Sequence, residues 1–206
     1  MTDQVSICNQ ALLLLGERTI QDLEEDTTEA SLCSAMYFDA RNHCLRDLKP
    51  NFAKKRSGTL VNGDTPEFGW AFAARLPEDC LLVVDINRDL LASTLNSVTG
   101  GGGPTGRHNT GFKEWRVEGR AILSGRVEMQ ILYISDKAPE AEMDSSFIKA
   151  LAAYLAGEFA YPLTNSRVKV EEMMKLYGAR ADDAQATWGQ ESATVRTEND
   201  QLAIVR

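Results

Sequence analysis

The chain has 206 residues, 43% of them hydrophobic and 25% charged, enough to bury one large core or two small ones. No apolar run approaches the length of a bilayer span. The Met-Thr-Asp-Gln start has neither the basic residues nor the apolar stretch of a secretory signal, so no membrane partner is expected. A formal net charge of −8 argues against a broad basic surface for gripping nucleic acid, while a negative wall would let phosphates slide past.

The first expected element is a helix over Thr2 to Leu15, because Val5, Cys8, Leu12 and Leu15 recur at helical spacing and Gly16 ends the run. An acidic connector follows, with Asp22, Glu24, Glu25 and Asp26. Asp26 with Glu29 has the spacing of a capping box, which predicts a second helix running to about Leu48. Its buried stripe is Cys33, Met36, Tyr37, Ala40, Cys44 and Leu48, and Lys49-Pro50 stops it.

Helical spacing then gives way to short β-rich runs punctuated by Gly and Pro. Trp70 to Leu76 alternates loosely, Pro77-Glu78-Asp79 is turn chemistry, and Leu81 to Ile86 reads as a buried strand. Trp115 to Glu118 and Ala121 to Leu123 flank Gly119 as a hairpin. Val127 to Ile134 is apolar on both faces in its second half, which marks a central strand. Gly100 to Gly106, reading Gly-Gly-Gly-Gly-Pro-Thr-Gly, is expected to be a flexible excursion that orders on meeting a partner. It lacks the Gly-Lys-Ser/Thr and the following helix that a phosphate-cradling loop needs.

Helices return at Asp144. Phe147, Ile148, Leu151, Leu155 and Phe159 form a strong stripe with Ala and Gly filling the gaps, and Tyr161-Pro162 is expected to end it. Ser166 caps a long last helix that reaches Trp188, with a bend possible at Gly178. The remaining stretch is polar with scattered Val195, Leu202, Ile204 and Val205. It is expected to be either a frayed end or an arm for a neighbouring subunit.

This order predicts an α+β protein: an antiparallel helical bundle from the N- and C-terminal helices, with a small antiparallel β lobe inserted. The expected domains are 1–56 with 140–190 for the bundle, 57–139 for the inserted β domain with its Gly-rich loop, and 191–206 for an extended arm.

Little in the chain reads as reaction chemistry. Cys8, Cys33, Cys44 and Cys80 show no Cys-x-x-Cys or finger spacing, and the expectation is buried, reduced thiols with no metal. Asp39 and His43 lie four residues apart on one helical face, with Ser34 a loose nucleophile candidate; a surface ion pair is the simpler reading. His108 lies in the Gly-rich excursion. Glu24, Glu25, Asp26, Asp182 and Asp183 show no sign of converging as a glycosidase pair. Lys54-Lys55-Arg56 is too small for a nucleic-acid module but suits an acidic partner or passing DNA. Trp70 and Trp115 are expected in the core, and Trp188 at an interface. No catalytic residue, cofactor or metal site is expected.

Five strings, in this order and spacing, resemble the tail tubular protein A-like family of phage head-to-tail adaptors. They are Ile7-Cys8-Asn9-Gln10-Ala11-Leu12 with Leu15-Gly16, Ile20 and Leu23; Ala40-Arg41-Asn42 with Leu45-Arg46 and Asn51-Phe52-Ala53; Trp70-Ala71-Phe72-Ala73 with Leu76-Pro77-Glu78-Asp79-Cys80-Leu81; Trp115-Arg116-Val117-Glu118-Gly119-Arg120 with Ile122-Leu123; and Phe147, Ala150-Leu151-Ala152 and Leu155-Ala156 with Pro162-Leu163-Thr164-Asn165-Ser166. The family often shows Pro-Trp before Asn-Phe-Ala, whereas Lys49-Pro50 stands here, and the polyglycine loop has the look of a local insertion.

The resemblance implies a non-enzymatic structural protein of the virion neck, assembled in the host bacterial cytoplasm. It implies a dodecameric ring of this chain, a portal protein above, and a tail nozzle or tail tube protein below. DNA would pass through the lumen during ejection without sequence-specific binding. The partner-facing residues expected are Trp188, Val195, Leu202, Ile204 and Val205, together with Gly101, Gly102 and Gly103 of the loop. The alternative weighed against this is a small hydrolase acting on cell-wall glycan or peptide.

Overall fold

A computed structural model describes residues 3–61, 63, 66–86, 115–125 and 128–191. Among these the chain forms four helices, α1 (Gln4–Leu15), α2 (Thr28–Leu48), α3 (Ser145–Thr164) and α4 (Arg167–Glu191). The strands are β1 (Lys54–Arg56), β2 (Leu60–Val61), β3 (Phe72–Arg75), β4 (Cys80–Ile86), β5 (Trp115–Glu118), β6 (Ala121–Ser124), β7 (Glu128–Met129) and β8 (Ile131–Ser135). The fold is α+β, with helices at both flanks and only antiparallel strand pairs among the described residues.

The chain divides into two compact units, one mainly Phe38–Met143 and the other Gln4–Tyr37 with Asp144–Arg206. The expected boundaries near 56 and 139 therefore move, and the first one falls inside α2. The reason lies in the second half of that helix, which is bonded to the strand unit. Arg41 donates from one guanidinium nitrogen to the Asp136 carbonyl at 2.7 Å and from another to the Ala138 carbonyl, and Arg46 reaches the Leu81 carbonyl at 3.3 Å. β1 also belongs there, since Lys54–Arg56 pairs with β8.

In the helical unit, α3 packs against both α1 and α4. Phe147, Leu151, Leu155 and Phe159 are fully buried at helical spacing, each contributing roughly 1.5–3 kcal/mol by leaving water. Ala150, Ala152, Ala153, Ala156 and Ala160 are buried as well, so the helix is covered nearly all round, and small residues allow the close approach. At Gly157 an added Cβ would lie 2.6 Å from the Met174 methyl of α4.

The helix ends show why they stop where they do. Gly16, at φ 79°, closes α1: its N–H bonds the Leu13 carbonyl at 3.1 Å, and the Glu17 N–H bonds that of Leu12 at 3.0 Å. α2 is capped by Thr27, whose hydroxyl accepts from the Ala30 N–H at 3.2 Å, rather than by the expected Asp26–Glu29 box. α2 ends at Lys49 in the left-handed region (φ 52°), just before Pro50. Pro162 does not end α3. It sits inside the last turn, and the stop comes at Asn165, left-handed at φ 51°, whose N–H bonds the Tyr161 carbonyl at 2.9 Å. α4 passes through Gly178 as one continuous helix.

The strand unit holds two three-stranded sheets, β1-β8-β4 and β3-β6-β5, and a short β2-β7 pair. β8 is central, as its apolar content predicts, with Ile131, Tyr133, Ile134 and Ser135 all buried. Ala74, Val83, Ile86, Ile122, Ile131 and Tyr133 from both sheets, with Met129 of β7, form one core, and Trp115 packs against it half-buried. β5 and β6 form the expected hairpin around Gly119, whose φ of 58° suits glycine.

Candidate functional site

The densest polar cluster in the strand unit centres on Asp79, in the turn between β3 and β4. Its carboxylate accepts from the Ser135 hydroxyl at 2.8 Å, the Tyr133 hydroxyl at 3.1 Å and the Lys55 ammonium at 3.1 Å. The Asp79 carbonyl accepts from the Asp136 N–H at 3.0 Å. From the other side Arg120, next to the β5–β6 turn, donates to the carbonyls of Cys80 at 3.0 Å, Pro77 at 2.6 Å and Glu78 at 2.9 Å. A turn that looked like simple Pro-Glu-Asp punctuation is thus fastened to β1, β8 and β6.

Electrostatics follow the bonding. Burial pushes the Asp79 carboxyl upward, but the three hydrogen bonds and the Lys55 charge outweigh it and leave the group below its ordinary 3.8. The Tyr133 phenol is pushed up to about 12, first by burial and then by its bond to the Asp79 carboxylate and that negative charge. The Cys80 thiol is also raised, by burial foremost, with Arg120 pulling the other way. Asp79 is a poor proton acceptor at neutral pH, and the Ser135 hydroxyl is fully buried and turned onto it. The arrangement is a joint between strands, with no side chain poised to attack a substrate.

A second joint is built on Arg41, 5% exposed, whose Nε lies 3.8 Å from the Glu140 carboxylate. In the helical unit, the Asn9 amide donates to the Ile20 carbonyl and accepts from the Ile20 N–H, both at 2.8 Å, folding the connector back along α1. Lys169 of α4 donates to the Leu15 carbonyl at 3.0 Å. Asp144 serves two elements: one oxygen caps α3 through Ser146 N and Phe147 N at 2.8 Å each, and the other accepts the Trp188 indole N–H at 2.8 Å.

Trp188, expected at an interface, is 7% exposed, and its indole N–H is bonded within its own unit. Trp70 and Trp115, expected in the core, are only half-buried. The other expected partner-facing residues, Gly101, Gly102, Gly103, Val195, Leu202, Ile204 and Val205, lie outside the described residues, as does His108.

Ser34 is not brought to His43. Ser34 and His43 stand nine positions apart on α2, which at about 100° per residue puts them on opposite sides, ~13 Å apart along the axis. Glu25 is spent on the connector, accepting from Gln21 N at 2.5 Å and Asp22 N at 3.0 Å. In the basic triplet, Lys54 bonds Asn51 at 2.8 Å and Lys55 bonds Asp79. All four cysteines are buried, and none is in a disulfide. The Cys8 thiol is raised by its hydrogen bond with Cys33 and then by burial, while the same bond lowers Cys33; both are fully buried in the core. Among the described residues no cluster of His, Cys, Asp or Glu is arranged to hold a metal, and no helix is long and apolar enough to cross a membrane.

Sequence reasoning missed Asp79, Arg120, Arg41 and Asp144 as joints, because each acts on backbone groups or side chains distant in sequence. No protein-family model and no curated protein sequence matches this chain.

Proposed function

We propose that the protein is a structural adaptor of a phage neck. On this reading, copies of the chain form a ring that joins the portal to the tail and lines the DNA conduit. It works by binding and symmetry. Repeated contacts between neighbours close the ring because the rotation between them closes. The ring presents one rim to the portal protein and the other to a tail nozzle or tail tube protein. The acidic balance of the chain, −8 overall, suits a wall past which DNA moves without adhering.

One observation carries the reading. The strings that resemble the adaptor family are more than generic core. Asn9 and Ile20, Arg41 and Arg46, Asp79, Arg120 and Asn165 all lie within them, and each makes one of the specific backbone or side-chain bonds that fix a turn, a connector or a helix end. A resemblance carried by such residues constrains the path of the chain in a way that scattered apolar matches do not.

The test is co-assembly. The full chain, mixed with the portal protein of the same phage and imaged by electron microscopy, is expected to add a ring beneath the portal. No association with the portal would overturn the reading. So would turnover of cell-wall glycan or peptide by the pure protein that is abolished by Asp39→Ala or His43→Ala.

A further inference from the structure

We draw no further inference here: the strongest candidate, the outward-facing apolar side chains Leu13, Tyr161 and Val168 at the end of the helical unit where α1 and α3 finish and α4 begins, carries nothing because nothing in the structure shows what covers it.

Discussion

At the residue scale, Asp79 shows how much one carboxylate can organise when its donors come from separate strands. Removing it strands the buried hydroxyls of Ser135 and Tyr133, and an unsatisfied buried group costs about 1–3 kcal/mol. Asp79→Ala is expected to lower unfolding stability in urea by roughly 2–3 kcal/mol, and Asp79→Asn by less, because the amide oxygen still accepts. The pH dependence has a fixed sign. A carboxyl held below its ordinary 3.8 in the folded state contributes stability that is present above that value and is lost as pH falls through the lower folded one. Tyr133 acts at the other end: with its pKa raised to about 12, its contribution holds below the ordinary 10 and is lost as pH rises through the folded value. Acid denaturation of Asp79→Asn should show a shallower loss of stability below pH ~4 than the parent. Equal slopes would mean that the carboxylate is not held as the bonds imply. Asp144 makes a second case. Asp144→Ala loses a helix cap worth about 1 kcal/mol and leaves the buried indole without an acceptor, for roughly 2 kcal/mol together. Asp144→Asn retains most of this. A red shift of tryptophan emission in the alanine variant alone would report the freed Trp188.

At the element scale, α3 and α4 differ in what holds them. α3 is buried on almost every side, so Leu151→Ala is expected to cost about 2–5 kcal/mol. α4 has only Ala181, Ala184 and Trp188 buried and depends more on its own helix preference. Gly178 sits in its middle with open space where a Cβ would go, so Gly178→Ala should raise stability by about 0.5–1 kcal/mol, read as a higher urea midpoint at unchanged slope. A loss instead would show that the helix bends there when free in solution. The same contrast explains what the sequence allowed one to read. Apolar spacing located α1, α2, α3 and the central strand β8, because burial at helical or alternating period is written into local order. Local signals misjudged Pro162, which α3 carries inside its last turn, and the Asp26 cap, which Thr27 takes instead. They also placed a domain boundary near residue 56, beyond the end of α2. The real division cuts α2, because Arg41 and Arg46 bind carbonyls that are 95 and 35 residues away. No window of sequence carries that information. The Asp79 joint was hidden for the same reason: Lys55, Tyr133 and Ser135 are 24, 54 and 56 residues from it.

At the scale of the whole molecule, charge separates the adaptor reading from any DNA-gripping role. Binding to duplex DNA is driven by release of counterions as lysines and arginines neutralise phosphates, and the affinity falls steeply with salt in proportion to the number of such contacts. This chain has 22 basic against 30 acidic residues. In its compact basic cluster Lys54 is bonded to Asn51 and Lys55 is paired with Asp79. Arg41 is buried, and the guanidinium of Arg120 is occupied by three carbonyls. The acidic surplus repels the duplex at long range. The isolated protein is therefore expected to give no shift of a short DNA duplex in a gel at about 50 mM salt, where a basic module making several phosphate contacts binds readily. Reversing Asp22, Glu24 and Glu25 to lysine changes the balance from −8 to −2, each replacement adding two charges, and should produce weak, salt-sensitive retention. If the parent chain itself binds DNA saturably, with affinity that falls as salt rises, the picture of a wall that lets DNA slide is wrong.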